Sequence, residues 1–173
     1  MAGNKPLSIF LDTNAVIGWL GREADSGVSA ISGILNEIHA KKLAAVLSQF
    51  TKLEILECKH DETMFRAWRS LQARPNVEVI GVTKRVIDTA YEIRNFYQKI
   101  RENNPAAKKP PQQPDCILIA TAIVAGVDHF VSYDNGGRDP RHLSPLDLNG
   151  LIADQWLLSV VRPEALNLSG LDV

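Results

Sequence analysis

The chain of 173 residues has 45% hydrophobic and 23% charged side chains, the proportions of one soluble globular domain. Its formal net charge of −1 excludes a general attraction for nucleic acid, so any such surface has to be local. No apolar run reaches the roughly 20 residues of a membrane span, and the N-terminus lacks the apolar core of a signal peptide. With two cysteines, Cys58 and Cys116, we expect a single domain over residues 1–173 without disulfides, in the cytoplasm and without contact with a membrane.

The segment at 7–18, LSIFLDTNAVIG, joins a short apolar run to an acid and then to a helical pattern. The apolar run predicts a buried strand that ends at Asp12, and residues 15–20 predict a helix that Asn14 caps. An acid at the C-terminal end of a parallel strand is either a turn residue or the first member of a ligand site. The segment alone leaves both interpretations of Asp12 open.

Helical and strand patterns alternate along the next part of the chain. Residues 26–42 predict an amphipathic helix and residues 43–48 predict a second strand. Thr51 and Glu54 match a capping box, which places the start of the following helix at Thr51. The helical pattern breaks and then resumes before a third strand at 77–80.

The second half of the chain continues this alternation. Thr83 is expected to cap a long helix, and the proline-rich stretch 101–114 predicts an exposed loop. The nearly all-apolar segment 115–126 predicts a buried helix that begins after Pro114 and ends at Gly126. Strands are expected at 129–132 and 156–161, separated by a polar connection. Alternating strands and helices indicate an α/β sandwich with a mostly parallel sheet.

Four acids stand where these predicted elements meet. Asp12 and Asp134 follow strands, whereas Glu54 and Asp115 lie in the first turns of helices. Each has an ordinary explanation: a turn residue for the first two, the capping box for Glu54, and favourable interaction with the helix dipole for Asp115. In a parallel sheet, however, strand ends and helix starts share one edge. All four carboxylates should therefore face the same side of the molecule.

Four converging carboxylates repel one another strongly when they are partly buried. Hard divalent ions such as Mg²⁺ or Mn²⁺ relieve this repulsion, because they prefer oxygen ligands and keep several waters. A carboxylate cluster that holds one or two such ions is typical of phosphodiester cleavage.

Four stretches of sequence carry a family resemblance: FLDTN at 10–14, SQFTKLEILE at 48–57, PDCILIATAIVAG at 114–126 and FVSYD at 130–134. On these motifs the chain resembles PIN-domain ribonucleases, and within that family it is similar to the VapC-type toxins of toxin–antitoxin pairs. The resemblance implies a PIN-like three-layer sandwich, with a mostly parallel five-stranded sheet flanked by helices. It also implies Mg²⁺- or Mn²⁺-dependent endonucleolytic cleavage of RNA.

The resemblance also assigns roles to individual residues. Matched position by position, it implies four catalytic and metal-binding acids: Asp12, Glu54, Asp115 and Asp134. It implies two supporting residues, Asn14 and Ser132. In that case Glu54 does not serve a capping box. An antitoxin protein and a homodimer are the implied partners, and the extra length at 101–114 and 138–155 departs from a typical toxin of this kind.

Basic residues near the predicted site are candidate contacts for RNA phosphates. Lys52 shares a helix with Glu54, Lys108 and Lys109 lie in the predicted loop, and three further basic residues, Arg138, Arg141 and His142, follow Asp134. Ordinary solvated surface is the competing explanation for these charges.

Other functions remain open at this stage. A housekeeping PIN nuclease without an antitoxin would have the same acids. The LDTN motif also resembles haloacid-dehalogenase-like phosphatases, in which the strand-end Asp is a nucleophile, but those have a second Asp where this chain has Asn14. A non-catalytic RNA-binding module on the same fold is the third alternative.

Overall fold

The computed structural model describes residues 6–20, 26–57, 62–137, 139–166 and 168. Within these residues the strands are β1 (Ser8–Leu11), β2 (Ala44–Ser48), β3 (Val77–Ile80), β4 (His129–Val131), β5 (Gly150–Ile152) and β6 (Trp156–Val161). The α-helices are α1 (Thr13–Leu20), α2 (Ser26–His39), α3 (Gln49–Glu57), α4 (Glu62–Gln72), α5 (Lys84–Asn103) and α6 (Gln113–Ala125). Short 3-10 helices cover Pro145–Leu148 and Pro163–Ala165. None of the α-helices described here is long and apolar enough to cross a membrane.

The strands form one sheet in the order β3-β2-β1-β4-β6-β5. All neighbouring pairs are parallel except β5 and β6. The predicted α/β class with a mostly parallel sheet is therefore confirmed, but the sheet has six strands rather than five. The added strand, β5, has three residues, too few for a period-2 pattern. Its turn to β6 carries positive φ at Ala153 and Asp154, where Gly or Asn would normally indicate a hairpin.

Helices cover both faces of the sheet, as a three-layer sandwich requires. Alternate residues of β1 point to opposite faces, so Ile9 and Leu11 join one hydrophobic cluster and Phe10 joins the other. Helices α1 to α4 pack on the first face, and α5 and α6 pack on the second. On the second face the rings of Phe10 and Phe130 stack with centroids 5.0 Å apart. This packing holds β1 and β4 side by side in the centre of the sheet.

Two predicted helix boundaries are confirmed. Thr83 caps α5, because its side chain accepts a hydrogen bond from the Val86 amide. Gly126 ends α6 in the left-handed conformation, with φ 66° and ψ 43°. The loop between these helices is shorter than the predicted 101–114, because α5 continues to Asn103 and α6 begins at Gln113.

Substitution of Gly126 by alanine is expected to lower the free energy of unfolding by about 1 kcal/mol. The cost comes from the positive φ alone, because no neighbouring atom lies within 4 Å of the added methyl group. Gly18 is the matched control: it also has open space, but it lies inside α1 without a positive φ. Gly18→Ala should leave stability unchanged or slightly raised in urea unfolding, and a larger loss there than at Gly126 would contradict this explanation.

Candidate active site

The central strands β1 and β4 end at one edge of the sheet, and acids follow both of them. Asp12 comes directly after β1, and its amide donates to the Val131 carbonyl at the end of β4. Asp134 lies three residues after Val131. Strands β2 and β3 lie on one side of β1, and β4 lies on its other side. The strand order therefore reverses between β1 and β4. In open parallel sheets, ligands bind in the crevice at such a reversal.

Asp12 is almost completely buried, with 4% of its surface exposed. Its Oδ1 accepts a hydrogen bond from the Thr13 amide at 2.7 Å, and its Oδ2 accepts one from Ser132 Oγ at 2.5 Å. Burial raises the pKa of Asp12 from 3.8 to about 7, against the lowering effect of the Ser132 hydrogen bond. The charges of Asp115 and Glu54 raise this pKa further. The side chain is thus held firmly in a place where its negative charge is unfavourable.

Asp115 lies in the first turn of α6 and also has a pKa raised to about 7. Burial is the largest cause, followed by the negative charges of Asp134 and Glu54. A hydrogen bond with the Gln112 backbone acts in the opposite direction. Since Asp115 also acts on Asp12, its carboxylate is electrostatically coupled to each of the other three acids.

The predicted capping box of Thr51 and Glu54 is wrong. Helix α3 begins at Gln49, so Thr51 lies inside the helix and is fully buried there. The hydroxyl of Thr13 instead donates to Glu54 Oε2 at 2.5 Å and lies 3.1 Å from Thr51 Oγ1. Thr13 was missing from the predicted site, although its place between Asp12 and Asn14 was the available signal.

Asn14 does not cap α1, so that prediction is also wrong. The helix begins at Thr13, so Asn14 lies inside it, and the Asn14 side chain bonds to the segment after β4. Its Nδ2 donates to Ser132 Oγ at 3.2 Å, and its Oδ1 accepts from the Tyr133 amide at 3.0 Å. Ser132 Oγ in turn accepts from the Asp134 amide at 2.9 Å. Asn14 and Ser132 therefore fasten the start of α1 to the chain that carries Asp134.

Loss of the Ser132 hydroxyl is expected to raise the pKa of Asp12 further above its value of about 7. The hydroxyl donates to the ionised carboxylate, so its removal in Ser132→Ala disfavours the charged form. The carboxyl carbon of Asp12, followed by NMR during a pH titration of the metal-free protein, measures the shift. Ser159→Ala, which removes the hydroxyl beside His129 instead, should leave the Asp12 titration unchanged.

The acids line an open cleft of about 200 Å³. Its lining residues are Glu54, Gln112, Pro114, Asp115, Asp134, Gly136, Asp139, His142, Leu143 and Ser144. Asp134 also serves as a turn residue, because its Oδ1 accepts from the Gly136 amide at 2.7 Å. Three of the four predicted acids thus share the cleft, and Asp12 lies buried beside it, coupled to Asp115.

The donor set of the cleft fits a hard divalent cation. No three His, Cys, Asp or Glu side chains in the described part of the chain form a ready-made cage for a metal. Mg²⁺ does not require one, since it binds through one or two carboxylates and completes its shell with water and substrate phosphates. Two coupled carboxyl groups with pKa values near 7, at an open cleft, are what a bound cation would stabilise in the ionised form.

The four lysines and arginines predicted to contact RNA lie in different surroundings. Lys52 is exposed on α3, the helix of Glu54. Lys108 donates to Asp147 Oδ2 at 2.7 Å, and the backbone of Lys109 pairs with a neighbouring segment. Arg138 lies outside the described residues, as does Cys58.

A family model of the PIN domain matches residues 9–142, well over half of the chain. Among solved structures, the VapBC2 complex of Rickettsia felis bound to a promoter DNA fragment is similar to this chain with a TM-score of 0.57 and 14% identity, over 90% of this chain and 98% of that one. FitAB bound to the IR36 DNA fragment gives 0.55 and 17%, over 92% and 97%. A toxin–antitoxin complex of Klebsiella pneumoniae gives 0.51 and 17%, over 78% and 95%.

At these identities, the solved structures establish the fold alone. No curated protein sequence matches the chain. The family match runs from the second residue of β1 to beyond β4 and includes all four acids, so the chain belongs to the PIN-domain family.

Proposed function

We propose that this protein is a Mg²⁺- or Mn²⁺-dependent endoribonuclease whose site consists of Asp12, Glu54, Asp115 and Asp134. The observation that supports this most is the pair Asp12 and Asp115, each with a pKa raised to about 7 at the cleft where the strand order reverses. Carboxyl groups perturbed by burial and by one another, in a cleft, are typical of functional sites. Membership of the PIN-domain family adds to this support.

The chain's own residues are suited to hold the acids in place for hydrolysis. Ser132 and the Thr13 amide fix the two oxygens of Asp12, while the Thr13 hydroxyl orients Glu54. Asp115, in the first turn of α6, lines the cleft. When bound, one or two divalent ions would lower the pKa of an attacking water and stabilise the leaving oxygen.

RNA is the proposed substrate, and basic side chains around the cleft would contact its phosphates. Lys52, Lys109 and Arg138 are the proposed contacts. Lys108 would join them after release from Asp147, since that ion pair is partly exposed to solvent and therefore weak.

The proposed biological role is that of the toxin in a type II toxin–antitoxin pair. Its support is the similarity in fold to the complexes from Rickettsia felis and Klebsiella pneumoniae. A small antitoxin would then cover the acidic cleft with its tail, and an Arg or Lys of that tail would take the place of a metal. A homodimer is proposed as well, on the resemblance alone.

A cleavage assay tests the nuclease function directly. The purified chain, incubated with single-stranded and structured RNA, should cleave it with Mg²⁺ or Mn²⁺ and stop when EDTA is added. Asp12→Ala and Asp115→Ala should each remove the activity. Full cleavage by both variants, or cleavage that EDTA does not affect, would overturn the proposed mechanism.

The toxin role needs a test of its own. Expression alone should arrest growth, and co-expression with the neighbouring open reading frame should restore it. Normal growth, combined with RNA cleavage by the purified protein, would favour the housekeeping nuclease without an antitoxin.

The phosphatase alternative loses support at Asn14. That side chain is bonded to Ser132 and to the Tyr133 amide, and it is no carboxylic acid. An aspartyl-phosphate trapped on Asp12 would reverse this judgement.

A further inference from the structure

We propose that His142 contacts the ribose–phosphate backbone of RNA bound in the acidic cleft, and that two loops joined to each other hold its ring in place. The loops are residues 104–112 and 139–144, called the joined wall below. This inference rests on the proposed nuclease function and assigns one residue of that site to the substrate.

The two loops of the joined wall are hydrogen-bonded along their backbones. The Lys109 amide donates to the Arg141 carbonyl at 2.7 Å, and the Leu143 amide donates to the Lys109 carbonyl at 2.9 Å. Lys109 and His142 thereby form a parallel bridge outside the main sheet. The ion pair of Lys108 with Asp147, at 2.7 Å, adds a side-chain link. The two stretches that exceed a typical toxin in length thus become one structure beside the acids.

Helix α5 fastens the joined wall to the rest of the molecule. The Arg94 guanidinium donates to the Pro111 carbonyl at 2.5 Å, and Arg101 donates to the Ala107 carbonyl. Pro110 and Pro111 are buried. Residues 104–112 are tied to α5 on one side and to residues 141–143 on the other. A side chain at 141–143 is therefore positioned before any ligand arrives.

The ring of His142 presents Nδ1 to the wall, and its Nε2 faces Asp139, another residue that lines the cleft. Its Nδ1 lies 2.6 Å from the Pro110 carbonyl oxygen. A carbonyl only accepts hydrogen bonds, so Nδ1 carries a proton. Nε2 is then the variable nitrogen: it accepts from a hydroxyl when the ring is neutral, and it donates to a phosphate oxygen when the ring is charged. The side chain is 22% exposed and lines the cleft together with Asp115 and Asp134.

Arg141, the neighbour of His142 in the chain, is already engaged. Arg141 forms a two-point pair with Asp139, at 2.8 Å from Nε to Oδ1 and 2.9 Å from Nη2 to Oδ2. Asp139 Oδ2 is also 3.9 Å from His142 Nε2, so the carboxylate that faces this ring already has a guanidinium partner. Of the described residues that line the cleft, His142 is the one with a basic side chain. A strand whose backbone is negatively charged would find its complementary contact there.

Two substitutions separate a contact with RNA from a purely structural role. The amide nitrogen of asparagine takes the place of Nδ1, so His142→Asn keeps the bond to Pro110 and removes Nε2. His142→Gln has the opposite geometry: it reaches the place of Nε2 and loses the bond to Pro110. His39→Asn is the control, because His39 is exposed at the end of α2, at the sheet edge where β2 begins and away from the cleft.

The measurements are thermal unfolding, cleavage with Mn²⁺, and binding of a fluorescein-labelled single-stranded RNA by proteins that also carry Asp115→Asn to prevent cleavage. We expect His142→Asn to unfold at the wild-type temperature and to bind RNA at least about fivefold more weakly. In His142→Gln, which retains a polar group near the place of Nε2, the loss of RNA binding should be smaller than in His142→Asn. His39→Asn should match the wild type throughout.

Wild-type binding and cleavage by His142→Asn, whatever happens in His142→Gln, would overturn the inference and leave His142 as a link within the wall. Absence of cleavage by the wild-type protein with Mg²⁺ and Mn²⁺ would instead overturn the proposed function. The binding assay does not depend on cleavage, so the two failures are distinguishable.

Discussion

Asp115→Asn is expected to reduce RNA cleavage more than about a hundredfold, beyond the loss usually caused by changes in the outer shell of a metal site. Asp115 is coupled to Asp12, Glu54 and Asp134 and lines the cleft itself. An asparagine keeps the size and one oxygen of the side chain but removes the negative charge. Single-turnover cleavage with Mn²⁺ and metal binding by calorimetry measure the two effects.

The same substitution should not destabilise the metal-free protein. Asp115 is repelled by Asp134 and Glu54, and burial already opposes its ionisation, so a neutral side chain relieves unfavourable interactions. Asp88→Asn is the control, because Asp88 is exposed on α5 and pairs with the exposed Lys84. The control should retain full cleavage. Activity of Asp115→Asn within threefold of the wild type, with the fold intact, would contradict the assigned role.

The second large effect is a loss of stability of the metal-free protein as the pH rises from about 4 to about 7. Asp12 and Asp115 have a pKa near 3.8 in the unfolded chain and about 7 in the fold. Between these values the folded state holds protons that the unfolded state has released, so the free energy of unfolding falls with rising pH. Above pH 7 both states are ionised, and the loss is complete.

The expected loss is at most about 4 kcal/mol for each group, because its pKa differs by about 3 between the folded and unfolded states and one pKa unit corresponds to about 1.4 kcal/mol. Urea unfolding of the EDTA-treated protein at several pH values measures it. Other groups titrate in the same range, so the quantity to compare is the difference between the wild type and a variant with both Asp12→Asn and Asp115→Asn. That variant should show a flatter profile, and equal profiles would refute the prediction.

A divalent ion should reverse the loss at high pH. If Mg²⁺ or Mn²⁺ binds the ionised acids of the folded state, a hundredfold excess over its dissociation constant stabilises the protein by about 2.7 kcal/mol. We expect this gain at pH 8 in the wild type and much less in the double variant. An equal gain in both would place the ion elsewhere.

Patterns within single segments made much of the fold predictable. Apolar runs mark β1 and β2, and Gly126 ends the buried helix α6 where the sequence predicted it, although the helix begins at Gln113, before Pro114. In a parallel sheet the strand ends and helix starts lie at one edge, and Glu54, Asp115 and Asp134 line one cleft there. These features depend on local preference and on a general rule of parallel sheets, so they can be inferred from the chain alone.

The partners of polar side chains could not be predicted in the same way. Asn14 and Thr51 both have the local pattern of helix caps, yet Asn14 bonds to Ser132, 118 positions away, and Thr51 lies beside Thr13. A side-chain oxygen satisfies its hydrogen bonds with whichever group packing brings near, and tertiary contacts outweigh a local cap of about 1 kcal/mol.

The amino-acid sequence by itself determined the α/β class, the mostly parallel sheet and the set of four acids at its edge, because each depends on periodicity and on chain direction. Tertiary structure alone decided the sixth strand, the support of Asp12 by Ser132 and the joining of residues 104–112 to residues 139–144. Those features are contacts between segments far apart in the chain, and their energies arise only when the fold has excluded water and brought the groups together.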